Sequence, residues 1–210
     1  MLTKVEMIAM VYSDFTLKKV KADFQLETIE NLSLFADIAP VELSEYLLIT
    51  LARNVPLALS INTEKARSEL IIINILLEVK EKLATKVSLF SGIDFTVDKE
   101  RGLTGFCDYI ISHSPEQLYL ESPVITIVEA KNENIVAGLG QCIAEMVAAQ
   151  LFNQKDRQPN LPIYGAVTSG DEWKFIKLVD RLAYIDRQTY YMSDIKQVVG
   201  ILVTMAKQEA

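Results

Sequence analysis

Glu129, Ala130 and Lys131 close an otherwise apolar run, Val124-Ile125-Thr126-Ile127-Val128. On a strand, residues two apart share a face, so Glu129 and Lys131 project side by side while Ala130 turns away. A charged pair at the end of a buried strand is costly unless something satisfies it. Asp108 sits inside a second such run, Gly105-Phe106-Cys107-Asp108-Tyr109-Ile110-Ile111, and its carboxylate reaches Glu129 if the two runs are neighbouring strands. Two carboxylates and the backbone carbonyl of Ala130 make a hard oxygen site, suited to Mg2+ or Mn2+ with several waters retained. A lysine beside such an ion can orient or deprotonate a bound water whose pKa the ion has lowered. The ion also offsets the charge that builds on an attacked phosphate. Asp108, Glu129 and Lys131 around one ion therefore suit hydrolysis of a phosphodiester. The bland alternative is a structural or surface ion pair, and an E-x-K tripeptide alone does not separate the two.

Holding these groups together takes particular elements. Thr63 and Glu64 open a helix expected over 63–83, whose nearly continuous apolar stretch at 70–77 marks it as central and buried. Three strands are expected to follow, over 87–97, 103–112 and 124–131, with a turn at Asp98-Lys99-Glu100-Arg101-Gly102 between the first two. A second long helix is read over 136–153, then strands over 163–169 and 173–179, a short strand at Tyr184 and a last helix over 193–207. The core order is helix, three strands, helix, strand: an α/β fold with a central mixed sheet flanked by helices. Residues 1–60 read as an N-terminal helical extension packed on the core domain formed by 61–210. That extension holds one short helix near Thr16 and a longer one that begins at Pro40 and ends at Pro56.

This order of residues resembles the PD-(D/E)XK nuclease superfamily, in an uncharacterised bacterial branch. The resemblance covers about half the chain. It implies a restriction-endonuclease-like core in which Asp108 and Glu129 hold the divalent metal and Lys131 assists the attacking water. It also implies that Glu69, in Arg67-Ser68-Glu69-Leu70, supports the metal or its water from the leading helix. Gln141, in Gly140-Gln141-Cys142, would buttress the site from the following helix. Cys107 stands where the family name has proline, and Glu145 where some branches carry a tyrosine. The implied activity is metal-dependent hydrolysis of nucleic acid, DNA in the first instance. The rival reading is a nuclease-fold binding or assembly module that does not cut, or a subunit active only with a partner.

Composition bounds these readings. A formal net charge of −7 runs against a simple nucleic-acid binder, because lysine and arginine carry most of the affinity for phosphates. No uncharged apolar run approaches the roughly 18–20 residues that span a bilayer, so no membrane partner is expected. The N-terminus has no charged segment followed by an apolar one, and two cysteines make no framework, so a reducing cytoplasm is the expected setting. Cys107, Cys142 and Trp173 read as core residues, and His113 as a solvated turn residue. The apolar last helix packs on the domain, on a second copy in a homodimer, or on a partner protein.

Overall fold

The computed structural model describes residues 10–132, 134–158 and 161–208; residues 1–9 of the expected extension lie outside these. The chain forms α1 (Leu17–Phe24), β1 (Glu27–Ile29), α2 (Glu45–Ile61), α3 (Glu64–Arg67), a π-helical turn (Ser68–Ile72) and α4 (Ile73–Leu83). Next come β2 (Ser88–Asp94), β3 (Phe106–Ser112), β4 (Val124–Ala130), α5 (Ile135–Lys155) and β5 (Ile163–Thr168). It closes with β6 (Glu172–Val179), β7 (Leu182–Ile185), β8 (Tyr190–Tyr191) and α6 (Ile195–Lys207).

These strands make one mixed sheet in the order β1-β7-β6-β5-β4-β3-β2, with β8 paired to β6. β2, β3 and β4 form an antiparallel meander, and α5 then crosses over so that β5 lies parallel to β4. A parallel pair needs such a crossover, and one built on a helix covers the sheet. One face packs under α1 and α5 through Phe15, Val20, Ile110, Ile127, Ile143 and Val167. The opposite face packs under α2, α4 and α6 through Leu51, Ile75, Tyr109, Val128, Ala166 and Leu202. All seven residues of β4 are buried, as a central strand covered on both faces must be. α5 is long and apolar enough to cross a membrane by length and composition, but 67% of that stretch is buried inside the fold. Its apolarity is that of a core helix.

The N-terminal segment departs from the expected helices in three ways. β1 adds a parallel edge strand to β7, and three residues are too few to show a period in the sequence. Pro40 lies outside any helix or strand, and α2 starts instead after Ser44, whose hydroxyl accepts from Leu47 N at 3.1 Å. The buried Glu78 fixes that start by accepting from the Ser44 amide at 2.9 Å and its hydroxyl at 2.5 Å. Pro56 does not end α2. It removes one helical hydrogen bond, yet the helix runs on to Ile61 because Ala58, beyond it, is fully buried in the core.

Gly140 sets how closely the N-terminal segment can approach α5. A Cβ there would fall 2.3 Å from Phe15 O and 2.3 Å from Thr16 C, both backbone atoms at the start of α1. Gly140→Ala should therefore lower stability by about 1–3 kcal/mol through overpacking, read from the midpoint of urea unfolding. An unchanged midpoint would mean that α1 does not dock there.

Candidate active site

The site forms where β3 and β4 part. Their ladder runs as far as Tyr109 and Val128. Beyond it the Ala130 amide donates to Asp108 Oδ2 at 2.8 Å, so a side chain takes the place of a strand partner. On the other side of β4, the Lys131 amide donates to Thr168 O at 2.7 Å, which keeps the strand end tied to β5. The backbone around Glu129 is thus pinned from both flanks, and Asp108 is drawn between the strand ends toward it.

Glu129 is 1% exposed. Its Oε1 accepts from Lys131 Nζ at 2.5 Å, while its Oε2 has no partner. The Lys131 stem lies against the first turns of α5, where a Cβ on Gly138 would sit 3.0 Å from Lys131 Cγ and 2.7 Å from Val167 Cγ1. Gly138 leaves the lysine room to run back to Glu129. One turn further along α5, Gln141 Oε1 accepts from Lys131 Nζ at 3.3 Å, and Gln141 Nε2 donates to Glu145 Oε1 at 3.1 Å. Glu145 orients the amide: with its NH2 group engaged there, the carbonyl end faces the ammonium. Glu145 itself is fully buried, and its Oε2 is also without a partner.

The structure therefore brings Asp108, Glu129, Ala130, Lys131 and Gln141 together. Glu69 stands apart from the Glu129 cluster. Its exposed carboxylate pairs with Lys65 at 2.8 Å, one helical turn back. Glu69 does line the same cleft as Asp108 and Ala130, a space of about 370 Å³ between the helical wall and the ends of β2 and β3. The helical wall is shaped by the π turn, in which one extra residue widens the helix, a device common at functional sites. It is docked on the sheet by Tyr109, whose hydroxyl lies 2.5 Å from Ser68 Oγ and donates to Ser68 O at 3.1 Å. Leu70 O, in the same turn, accepts from the amides of Asn54 and Asn74.

Burial and the neighbouring Asp108 push the Glu129 carboxyl up to about 8, against the pull of Lys131 toward ionisation. Burial and Glu129 hold Glu145 well above the ordinary carboxylate range. Burial pulls the Lys131 ammonium down, but the Glu129 carboxylate more than offsets this and leaves it above the ordinary lysine value. Carboxylates this close titrate as a set, so the retained proton belongs to the set and not to one residue.

Sequence reading passed over the role of Glu145, and over Ser68 and Tyr109. The four-residue spacing of Gln141 and Glu145 put them on one helix face, which was the available signal. Cys107, Cys142 and Trp173 are fully buried, and His113 is exposed. Among the described residues, no group of three or more His, Cys, Asp or Glu side chains is arranged to hold a metal ion. Compared with protein-family models and with curated proteins, the chain matches none.

The raised carboxyl has a consequence for stability. Between the unfolded carboxylate value and about 8, the folded state keeps a proton that the unfolded state has lost. Stability should fall as pH rises through that window, by at most about 1.4 kcal/mol per unit for one group. Glu129→Gln should flatten the slope, measured by urea unfolding at several pH values. An equal slope in both proteins would place the proton elsewhere.

Proposed function

We propose that the chain is a divalent-metal-dependent nuclease with a restriction-endonuclease-like core of the PD-(D/E)XK type. The observation that carries this reading is the buried Glu129, with Lys131 donating to one oxygen, no donor among the described groups on the other, and the Asp108 carboxylate close beside it across two parting strands. Structural packing gives no reason to gather three ionisable groups where β3 and β4 part, since replacing a buried ion pair by apolar residues is often neutral or stabilising. The order α4-β2-β3-β4-α5-β5, antiparallel then parallel across the crossover, supports the same reading.

The residues fit Mg2+ or Mn2+. Mg2+ keeps several waters and needs only one or two carboxylates from a protein, and Glu129 Oε2 is a buried oxygen that lacks a partner. Asp108, Glu129 and the Ala130 carbonyl would hold the ion, which when bound would lower the pKa of a water and take up charge on the phosphate. Lys131, which donates to Glu129 at the edge of this site, would position or activate the attacking water. Gln141 holds the ammonium from the α5 side, and Glu145 keeps the Gln141 amide turned that way. Glu69 sits at the cleft mouth, where it is placed to hold a water outside the first ligands.

One observation favours a second reading, a nuclease-fold binding module or a subunit that cuts only with a partner. Glu64 and Glu69 line the cleft beside Asp108, and Lys65, paired with Glu69, is the cation among the described lining residues. Such a rim repels phosphates.

Incubating single- and double-stranded DNA and RNA with Mg2+ or Mn2+ separates the readings. The nuclease reading expects cleavage that EDTA stops and that Asp108→Ala and Lys131→Ala each reduce about 100-fold or more. Folded wild-type protein that cuts none of the four substrates would leave the module or the partner-dependent subunit. A second readout does not depend on cutting. Because an ion must displace the proton held by Glu129, Mn2+ should raise the thermal midpoint more at pH values above about 8 than well below it. Asp108→Ala should remove that shift, and a shift independent of pH would mean that the ion binds elsewhere.

A further inference from the structure

We infer that the cleft takes single-stranded nucleic acid, with an unpaired base stacked on Phe106; the inference rests on the nuclease reading above for its polynucleotide ligand. Phe106 opens β3 and is 68% exposed, an unusual state for a phenylalanine in a strand of the main sheet. Cys107 is fully buried in the core beneath α5. Tyr109 packs in the opposite layer, so the alternation breaks at Asp108; Phe106, opposite in direction to Cys107, faces away from α5, toward the side on which Asp108 and Tyr109 line the cleft. Two residues of strand separate the Cα atoms of Phe106 and Asp108 by roughly 6.6 Å, so Phe106 stands just outside the residues that line the cleft. Opposite Phe106 in the register is Asp94, and next to that pair Gly92, exposed and without a side chain, lines the cleft. The aromatic face is therefore open.

The charges around it narrow the choice of strand. A duplex is held chiefly by cations along its two backbones. This rim presents Glu64, Glu69 and Asp108, and its Lys65 is already paired. Affinity has to come from an uncharged contact, and base stacking on an aromatic ring is the contact that tolerates any sequence. A paired base inside a duplex has no free face to offer. The substrate is thus a single strand, or an end that has frayed open.

The test is fluorescence anisotropy of a labelled oligothymidylate, alone or paired with oligoadenylate, with Ca2+ in place of Mg2+ to hold off cutting. Wild type should bind the single strand more tightly than the duplex. Phe106→Ala should weaken single-strand binding about tenfold or more, and Phe106→Tyr should restore it. The salt dependence should be shallow, with a slope of about one phosphate contact. Duplex bound as tightly as single strand, an unchanged affinity in Phe106→Ala, or no wild-type binding to either would overturn the inference. Cleavage assays on the same proteins keep the two claims apart. Cutting that ignores Phe106 sinks the stacking and spares the nuclease, whereas Phe106-dependent binding without cutting does the reverse.

Discussion

A carboxylate buried at the end of a central strand sets the terms for everything around it. Glu129 lies on a strand covered on both faces, in a place where an unsatisfied charge is expensive. Each neighbour can be understood as a response. Lys131 returns alongside it, and Gly138 is small so that the lysine stem can lie flat against α5. Gln141 receives the remaining reach of the ammonium, and Glu145 fixes the Gln141 amide. Asp108 ties the Ala130 amide, which holds the strand end in position while the β3-β4 ladder stops short. What this network does not do is satisfy every oxygen. Glu129 Oε2 and Glu145 Oε2 remain without partners among the described groups. Buried polar groups are nearly always paired, and the exceptions call for an explanation such as an ion or a proton. A shared proton keeps the set tolerable at neutral pH, and displacing it is the step that would ready the site for a cation.

The scaffold makes that arrangement affordable. Two hydrophobic layers, one on each face of the sheet, anchor the parting strands well away from the opening itself. The widened helical turn adds a second wall, and it is fastened at several points: Tyr109 to Ser68, and Asn54 and Asn74 to Leu70 O. Arg67, just before the turn, is buried and donates to Ser169 O at 2.8 Å and to Asp171, which clamps the wall to the β5-β6 turn. Irregular backbone at this place is therefore held from all sides, as preorganised sites require.

The groups that carry charge inside apolar runs were legible in the sequence. Asp108, Glu129 and Lys131 stood out because nothing apolar surrounds a charge without reason, and the alternation of β4 and the length of α5 placed them. Local period also located most elements to within a few residues. Three features stayed hidden for physical reasons. A three-residue edge strand shows no period, so β1 had none to read. The end of α2 depends on whether packing at Ala58 outweighs a proline, which no local pattern reveals. Glu69 reads in the sequence as a companion of the proposed metal site because helical spacing gives a direction but no depth. In space its carboxylate turns outward to Lys65, whereas Glu145, one turn beyond Gln141, turns inward.

Charge gives the last constraint. Once both carboxylates are ionised, Asp108, Glu129 and the Lys131 ammonium leave the inner site with one net negative charge, and Glu64 and Glu69 extend that sign to the rim. A phosphate approaching such a pocket is repelled, so it cannot be the first ligand to arrive. On the proposed reading, a divalent cation would reverse the sign at the inner site and leave the rim unchanged. Binding would then be ordered by electrostatics, with the ion preceding the nucleic acid. The rim would still disfavour a strand that relies on its backbone charges. On the proposed reading, the ligand would bring its phosphate to an ion held at Asp108 while its base found an uncharged surface, and the exposed ring of Phe106 is the surface that β3 offers two residues away.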